Sequence, residues 1–411
     1  MARAKKSDLT KDMTVNLTDI PGVTLLQDSK WATVDDRLPT FLPELDQIMG
    51  GGVPFGRLTE IMGKNASGKS TLATLLMKSA VTLGVTTVLI DTEGTADPER
   101  LGELGLDMSG IYQVKPPESK RGEKKKEDAM SVEYVAEKCE ALIKAFAKTD
   151  DRLLIVWDSI AQTAAEAELE KGVGNKQPGI KAKAMSQFIQ IIAPMVTDSN
   201  VAFVGINQAR DEMGSMFGGV DSPGGHALHH WASLRLEVNK STQIKEKTDS
   251  AVPGAKDVEE YIGHEMRVKT IKSKVSRPNQ QSISYLLADS GLDYEENIYR
   301  SAKDRYNLIT TGTWGVYIAD DGQEYKYQKK TWVPFLKSPA GEAVRKELFQ
   351  KMMLISFPDG FKPLNNAVID VEKFPDMKGM RKIYKERAKI NKLEENTTTN
   401  EDVEKALAEL T

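Results

Sequence analysis

The residues best equipped for chemistry are the run Gly63, Lys64, Asn65, Ala66, Ser67, Gly68, Lys69, Ser70 and Thr71, which fits the pattern G-x-x-x-x-G-K-[ST]. An apolar run of strand length, 58–62, leads into it, and Leu72, Leu75, Leu76 and Ala80 follow at helical spacing. In that context the glycines let the backbone wrap phosphate oxygens, and the amides at the helix start supply positive potential. Lys69 is placed to reach the β- and γ-phosphates and the Ser70 hydroxyl to ligate Mg²⁺, so ATP with Mg²⁺ is the expected ligand pair. A Gly-rich turn without a ligand is the plainer alternative. Downstream, the apolar run 153–157 ends on Asp158, a carboxylate placed to hold the same metal, through water.

Hydrolysis needs a group that activates water. The run 88–93, Val-Leu-Ile-Asp-Thr-Glu, reads as a buried strand with Glu93 just past its end. Strand C-termini of an open α/β sheet line the ligand crevice, so Glu93 is the expected general base, with Asp91 the second candidate. The alternative is that Glu93 only caps the next turn.

These groups need a sheet to position them. Between residues 38 and 292, short β-branched runs at 58–62, 86–90, 153–157 and 201–206 alternate with helical patterns. Such alternation predicts an α/β fold with a mainly parallel central sheet flanked by helices. Residues 115–128 and about 240–260 are charged and rich in turn formers, and read as surface loops or hairpin tips. Residues 1–37 read as an appendage, 293–392 as a small C-terminal α/β domain, and 393–411 as an acidic mobile tail.

Bulk composition sets limits on this scheme. The chain has 411 residues, 40% of them hydrophobic, enough for a large domain with appendages. A formal net charge of -4 gives no global basic field, so any nucleic-acid site must be local. The single cysteine, Cys139, excludes an intrachain disulfide and reads as a small buried hydrophobe on a helix with Val135, Leu142 and Phe146. No apolar run is long enough to span a bilayer and the N-terminus lacks a secretory h-region, which predicts a soluble cytoplasmic protein without a membrane partner.

The ordered segments GRLTEIMGKNASGKSTL, LIDTEGTADPERLGELGLD, LLIVWDSIAQTAAEAELE, VGINQARDEMGSMFGG and SPGGHALHHWASLRLEV resemble the RecA family of homologous recombinases over about 38–292. GTWGVY and WVPFLKSPAGEAVRKELF carry a weaker likeness. The resemblance implies a RecA-like P-loop ATPase core that forms helical filaments on single-stranded DNA and catalyses pairing and strand exchange with double-stranded DNA. It implies an N-terminal polymerisation arm, and single-strand-binding and loading proteins as partners. Residue by residue, Glu93 matches the catalytic glutamate, Gln208 the γ-phosphate sensor, and Asp97 an adenine contact. Lys272 and Lys274 match a pair that reaches the neighbouring subunit's ATP. Two loops, 170–181 and 209–225, match the DNA-holding loops. Gly179, Lys183, Ser186, Arg210, Gly224, Gly225 and His226 match DNA-contacting positions, and Met216, Phe217 and His230 lie at the implied subunit interface.

The chain also departs from the family. Asp211 and Glu212 stand where a hydrophobe and a lysine are more usual, Gln190 where an arginine is, and Arg100 where a tyrosine stacks on adenine. The basic insert 120–126 has no family counterpart and reads as a solvated face. His226, His229 and His230 at helical spacing would suit a metal only with carboxylate or cysteine partners. Two other classes stay open at this point: a hexameric motor or helicase on a related core, and a non-catalytic DNA-binding mediator. The Lys272/Lys274 pair argues against the first, and intact Lys69, Ser70, Glu93 and Asp158 against the second.

Overall fold

The computed structural model describes residues 17–26, 34, 36–117, 129–171, 179–197, 199–211, 220–221, 226–248, 258–310, 312 and 314–358. The chain divides into two units, Met1–Thr33 and Val34–Thr411. In the first, the described part is a 3-10 turn, Leu17–Asp19, followed by exposed Ile20, Val23, Leu25 and Leu26.

The second unit is built on a sheet whose strands are numbered here in chain order, with the helices that pack on it or follow it. β1 is Arg57–Gly63, α1 Lys69–Leu83, β2 Thr86–Asp91, α2 Pro98–Glu103 and β3 Ile111–Gln113. α3 is Val132–Phe146, β4 Leu153–Asp158, α4 Ile180–Thr197 and β5 Val201–Gln208. α5 is His226–Trp231, β6 Leu234–Thr248, β7 Val258–Ser273 and β8 Gln281–Leu287. Among the described residues the sheet order is β8-β7-β6-β1-β5-β4-β2-β3. The six strands from β6 to β3 are parallel, and β7 and β8 return antiparallel. The four expected apolar runs are β1, β2, β4 and β5, each longer than expected at one or both ends.

The parallel strands are apolar on both faces because helices cover both. In β4, Leu154 and Val156 point into the cluster that α1 seals with Leu72 and Leu76. Leu153, Ile155 and Trp157 point the other way, to Val135, Cys139 and Ile143 of α3 and Phe188 and Ile192 of α4. Trp157, Phe188 and Phe203 form an aromatic knot with centroids 5.1 to 6.5 Å apart, and the Trp157 indole N–H donates to Thr163 Oγ1 at 3.0 Å. Truncating such a ring costs about 3–5 kcal/mol. Burial pushes the Cys139 thiol far up, as expected of an inert packing residue.

Of the two readings of 240–260, surface loop or hairpin tip, the described residues show the second. Residues 240–248 and 258–260 are not loop but the outer arms of a long β6–β7 hairpin. Lys245 of one arm faces Glu259 of the other at 3.6 Å, and Lys240 lies over the Tyr261 ring at 5.3 Å. A two-stranded ribbon wet on both faces needs no apolar alternation, so its pattern reads as loop. The insert 120–126 and the tail 393–411 lie outside the described residues.

Beyond β8 come α6 (Tyr294–Asp304), the hairpin β9 (Trp314–Ile318) and β10 (Glu324–Gln328), α7 (Lys329–Lys337) and α8 (Glu342–Ser356). Ile298, Tyr299, Trp332 and Phe349 from these elements join the same apolar cluster as Leu72 and Ile61. Among the described residues no helix is long and apolar enough to cross a membrane.

Candidate active site

β1 delivers Gly63 at its C-terminal end and α1 begins at Lys69, with the loop 64–68 wrapping between them. Two positions demand glycine. A Cβ on Gly63 would lie 2.2 Å from the Val238 carbonyl oxygen, and Gly68 has φ +102° with Leu286 and Met266 pressed beneath it. Lys64, Asn65 and Ala66 are exposed, whereas Ser67 and Lys69 are buried. The Ser67 hydroxyl is a buried oxygen with no hydrogen-bond partner among the described residues. Lys69 Nζ donates to the Lys64 carbonyl at 2.8 Å, so the ammonium lies inside the loop. Thr71 is half-buried in the first turn of α1.

Ser70 Oγ donates to Asp158 Oδ2 at 2.8 Å, which joins the start of α1 to the end of β4. Burial raises the Asp158 carboxyl to about 6; nearby Glu93 and Asp91 add to the shift, while the Ser70 bond and Lys69 oppose it. Lys69 is shifted down by burial, with Asp158 and Glu93 opposing. Two carboxylates, Asp158 and Glu93, thus face the Lys69 ammonium, and Asp91 adds to the negative charge beside Asp158, an excess that a divalent cation relieves. A hydroxyl and a carboxylate oxygen side by side are hard donors suited to Mg²⁺, and the glycine cradle and orphaned Ser67 hydroxyl suit a phosphate chain.

The turn after β2 separates two acids by role. Asp91 is buried, and its oxygens accept from the backbone N–H groups of Glu93, Gly94 and Ala96 at 3.1, 2.9 and 2.8 Å. Asp91 therefore caps the turn, and Glu93 is left exposed beyond it. Glu93 Oε1 accepts from the buried Ser159 hydroxyl at 2.5 Å, the residue after Asp158. A cavity of about 300 Å³ opens beside Glu93 and is lined also by Thr92, Met130 and Gln162.

Gln208 ends β5 directly opposite Gly63 of β1, and the Ala209 N–H donates to the Gly63 carbonyl at 3.0 Å. Lys272 and Lys274, on and just past β7, both donate to the His230 carbonyl, at 2.8 and 2.9 Å. His230 is exposed on α5. Asp97 N-caps α2 by accepting from the Glu99 N–H at 3.1 Å. The Arg100 guanidinium bonds the Ala288 and Asp289 carbonyls at 2.6 and 3.1 Å, tying α2 to the turn after β8.

Of the candidate DNA contacts, Gly179 has φ +90°, where an added Cβ would meet nothing within 4 Å among the described residues, and Lys183 is exposed on the first turns of α4. Ser186 is half-buried and its hydroxyl donates to the Ala182 carbonyl at 2.8 Å. Arg210 and Asp211 pair with Val220 and Asp221 in a two-stranded ribbon. His226 opens α5. Glu212, Met216, Phe217, Gly224 and Gly225 lie outside the described residues, as do residues 172–178 of the first loop. Among the described residues no three His, Cys, Asp or Glu side chains gather to hold a metal.

Sequence reasoning missed Ser159, Glu60, Asn207 and Arg235. Glu60 was visible as the one charge inside an apolar strand, and Ser159 as the hydroxyl next to Asp158. Their partners are set by strand adjacency, which no local pattern carries.

The family model described as RecA N-terminal domain matches residues 22–293. Protein RecA of Clostridium novyi (strain NT) is 32% identical over 275 residues, 66% of this chain and 71% of that protein. Protein RecA of Tropheryma whipplei (strain Twist) is 32% identical over 313 residues, 76% of this chain and 65% of that one. Protein RecA of Chloroflexus aggregans is 32% identical over 288 residues, 70% and 74%. The β-α alternation, the parallel sheet and the phosphate-loop geometry agree with that match, and the chain belongs to the RecA family.

Proposed function

We propose that this chain is an ATP-dependent recombinase that polymerises on single-stranded DNA and catalyses homologous pairing and strand exchange with duplex DNA. The observation that carries this reading is the convergence of Lys69, Ser70, Asp158 and Glu93 at the C-terminal edge of β1, β4 and β2, in a chain of the RecA family.

In this reading the amides of residues 63–71 hold the phosphates, Lys69 neutralises the β- and γ-phosphoryl oxygens, and Ser70 and Asp158 hold Mg²⁺. Mg²⁺ held by Ser70 and Asp158 would supply charge neutralisation for the phosphoryl oxygens. Glu93, fixed by Ser159, takes the proton of the attacking water as the new O–P bond forms and the bond to ADP breaks. Asp97 contacts the adenine. Gln208 senses the γ-phosphate, and Lys272 and Lys274 act on the ATP of the neighbouring protomer, with Met216, Phe217 and His230 at that interface. Gly179, Lys183, Ser186, Arg210, Gly224, Gly225 and His226 hold DNA, chiefly through backbone amides and a few cations meeting phosphates, a route open to an acidic protein. Residues 1–37 serve as the polymerisation arm, 293–392 as a C-terminal domain and 393–411 as a tail; single-strand-binding and loading proteins are the expected partners.

Electron microscopy with single-stranded DNA and a slowly hydrolysed ATP analogue tests assembly. Helical filaments support the recombinase reading; closed rings point to the motor alternative. A strand-exchange assay with homologous duplex completes the test, and filaments that exchange nothing overturn the recombinase half.

A further inference from the structure

β1 is an apolar strand with one acid in it, and that acid, Glu60, is completely buried. A buried carboxylate is costly unless both oxygens are engaged. Here Oε1 accepts from Asn207 Nδ2 at 2.9 Å and Oε2 from Arg235 Nε at 2.5 Å. Asn207 is itself fully buried, and its Oδ1 accepts the Gln208 backbone N–H at 3.0 Å. On the other side, Arg235 of β6 stands in register with Lys272 of β7.

The charged groups facing Lys272 come from three strands: Lys274 just past its own, Arg235 on β6 and Glu60 on β1. α5 adds the His229 and His230 carbonyls, both accepting from its ammonium. The Lys272 amine is held down to about 8, by burial first and by Lys274 and Arg235 next, with Glu60 opposing. One carboxylate in the phosphate-loop strand is therefore bonded to the residue that fixes the backbone of Gln208, and it offsets the cations around the lysine pair.

We infer that Glu60 is a positioning residue which, through Asn207 and Arg235, ties the Gln208 end of β5 to the Lys272/Lys274 pair on β7. A shift of β5 when Gln208 meets a γ-phosphate then reaches the lysines through three packed side chains, and the nucleotide state of one protomer biases the charges it presents to the next. The inference rests on the roles proposed above for Gln208, Lys272 and Lys274. A buried ion pair that only stabilises the fold would affect every activity alike.

The test uses the full chain carrying Glu60→Gln. Reductively ¹³C-methylated lysines are titrated by NMR in the DNA-free protomer, with the Lys272 signal assigned by its loss in Lys272→Arg. Turnover is measured with and without single-stranded DNA. Removing the carboxylate takes away the charge that favours the ammonium, so Lys272 should titrate lower by about half to one pH unit. DNA stimulation should fall about tenfold or more, with basal turnover within about twofold of wild type. Either readout unmoved, or basal and stimulated turnover falling together, overturns the inference. Should Glu60→Gln fail to fold, Arg235→Gln reads the opposite sign, because it removes a cation beside Lys272: the lysine must titrate higher, and an unmoved titration overturns the coupling. Lys272→Ala separates the two levels. Intact DNA stimulation in that variant sinks the lysine role itself, whereas the titration in the free protomer judges the Glu60 coupling without ATP or DNA.

Discussion

Ser159 donates its hydroxyl to Glu93 at 2.5 Å, and because Ser159 directly follows Asp158 this bond ties the candidate base to the strand that carries the candidate metal ligand. The candidate water-activating and metal-holding groups therefore share one edge, where Asp91 caps the turn after β2 and Thr92 bonds it to the end of β4.

That division of labour gives the first prediction. Lys69→Ala removes a phosphate counter-charge and should weaken ATP binding by roughly 10- to 100-fold or more. Glu93→Gln keeps binding but should lower turnover by about 10²–10⁴-fold. Ser159→Ala, which frees the carboxylate without removing it, should cost about tenfold in turnover. Equilibrium nucleotide binding and ATPase rates read these separately, and equal loss of binding in Lys69→Ala and Glu93→Gln would sink the role assignment.

The lysine pair gives the second. If Lys272 and Lys274 act across a formed interface as proposed, Lys272→Ala or Lys274→Ala should lower DNA-stimulated turnover about 10²-fold. Single-protomer ATP affinity, measured by equilibrium titration without DNA, should change little. Unchanged stimulated turnover would argue against the lysines.

Asp46 carries the pH prediction. It is fully buried in the short helix Pro43–Met49 ahead of β1, where it accepts from the Thr40 N–H and hydroxyl at 2.7 Å and the Phe41 N–H at 2.9 Å, yet burial still raises it to about 7. A carboxyl raised above its unfolded value holds its proton in the folded state, so its contribution is full below about 4 and is lost as pH rises through about 7. The shift from 3.8 to about 7 corresponds to about 4 kcal/mol. Urea unfolding of wild type and Asp46→Asn at pH 4.5, 6 and 8 should show wild type losing stability relative to the variant as pH rises. A constant difference would contradict it.

Much of this site was legible before any coordinates. The phosphate loop, the carboxylate ending β4 and the acid just past β2 are local patterns, each a short apolar run with a functional residue at its C-terminus, and strand adjacency then brings the ends together. Glu60, Asn207 and Arg235 were not legible, because the Glu60–Asn207 bond spans 147 residues of sequence and depends on β1 lying beside β5. Loop and hairpin tip could not be told apart for the outer arms of the β6–β7 hairpin because burial, which writes the alternation of ordinary strands, is largely absent there; Ile244 is an exception at 8% exposed.

The acidic tail gives a prediction from sequence alone. Residues 393–411 hold Glu394, Glu395, Glu401, Asp402, Glu404 and Glu409 against Lys405, and a tethered anionic segment competes with phosphates for a cationic groove. Truncation after Lys392 should tighten duplex binding at low salt, with the difference shrinking as salt or Mg²⁺ rises. Equal duplex binding with and without the tail would show that it is not inhibitory.

The central claim is a phosphate-loop ATPase whose turnover depends on DNA. It is tested most directly by the steady-state ATPase rate of the full chain in Mg²⁺, with and without single-stranded DNA, beside Glu93→Gln as the inactive control. Turnover raised about tenfold or more by DNA, and abolished in the variant under both conditions, is the predicted result. A rate indifferent to single-stranded DNA, or one that survives in Glu93→Gln, would contradict it.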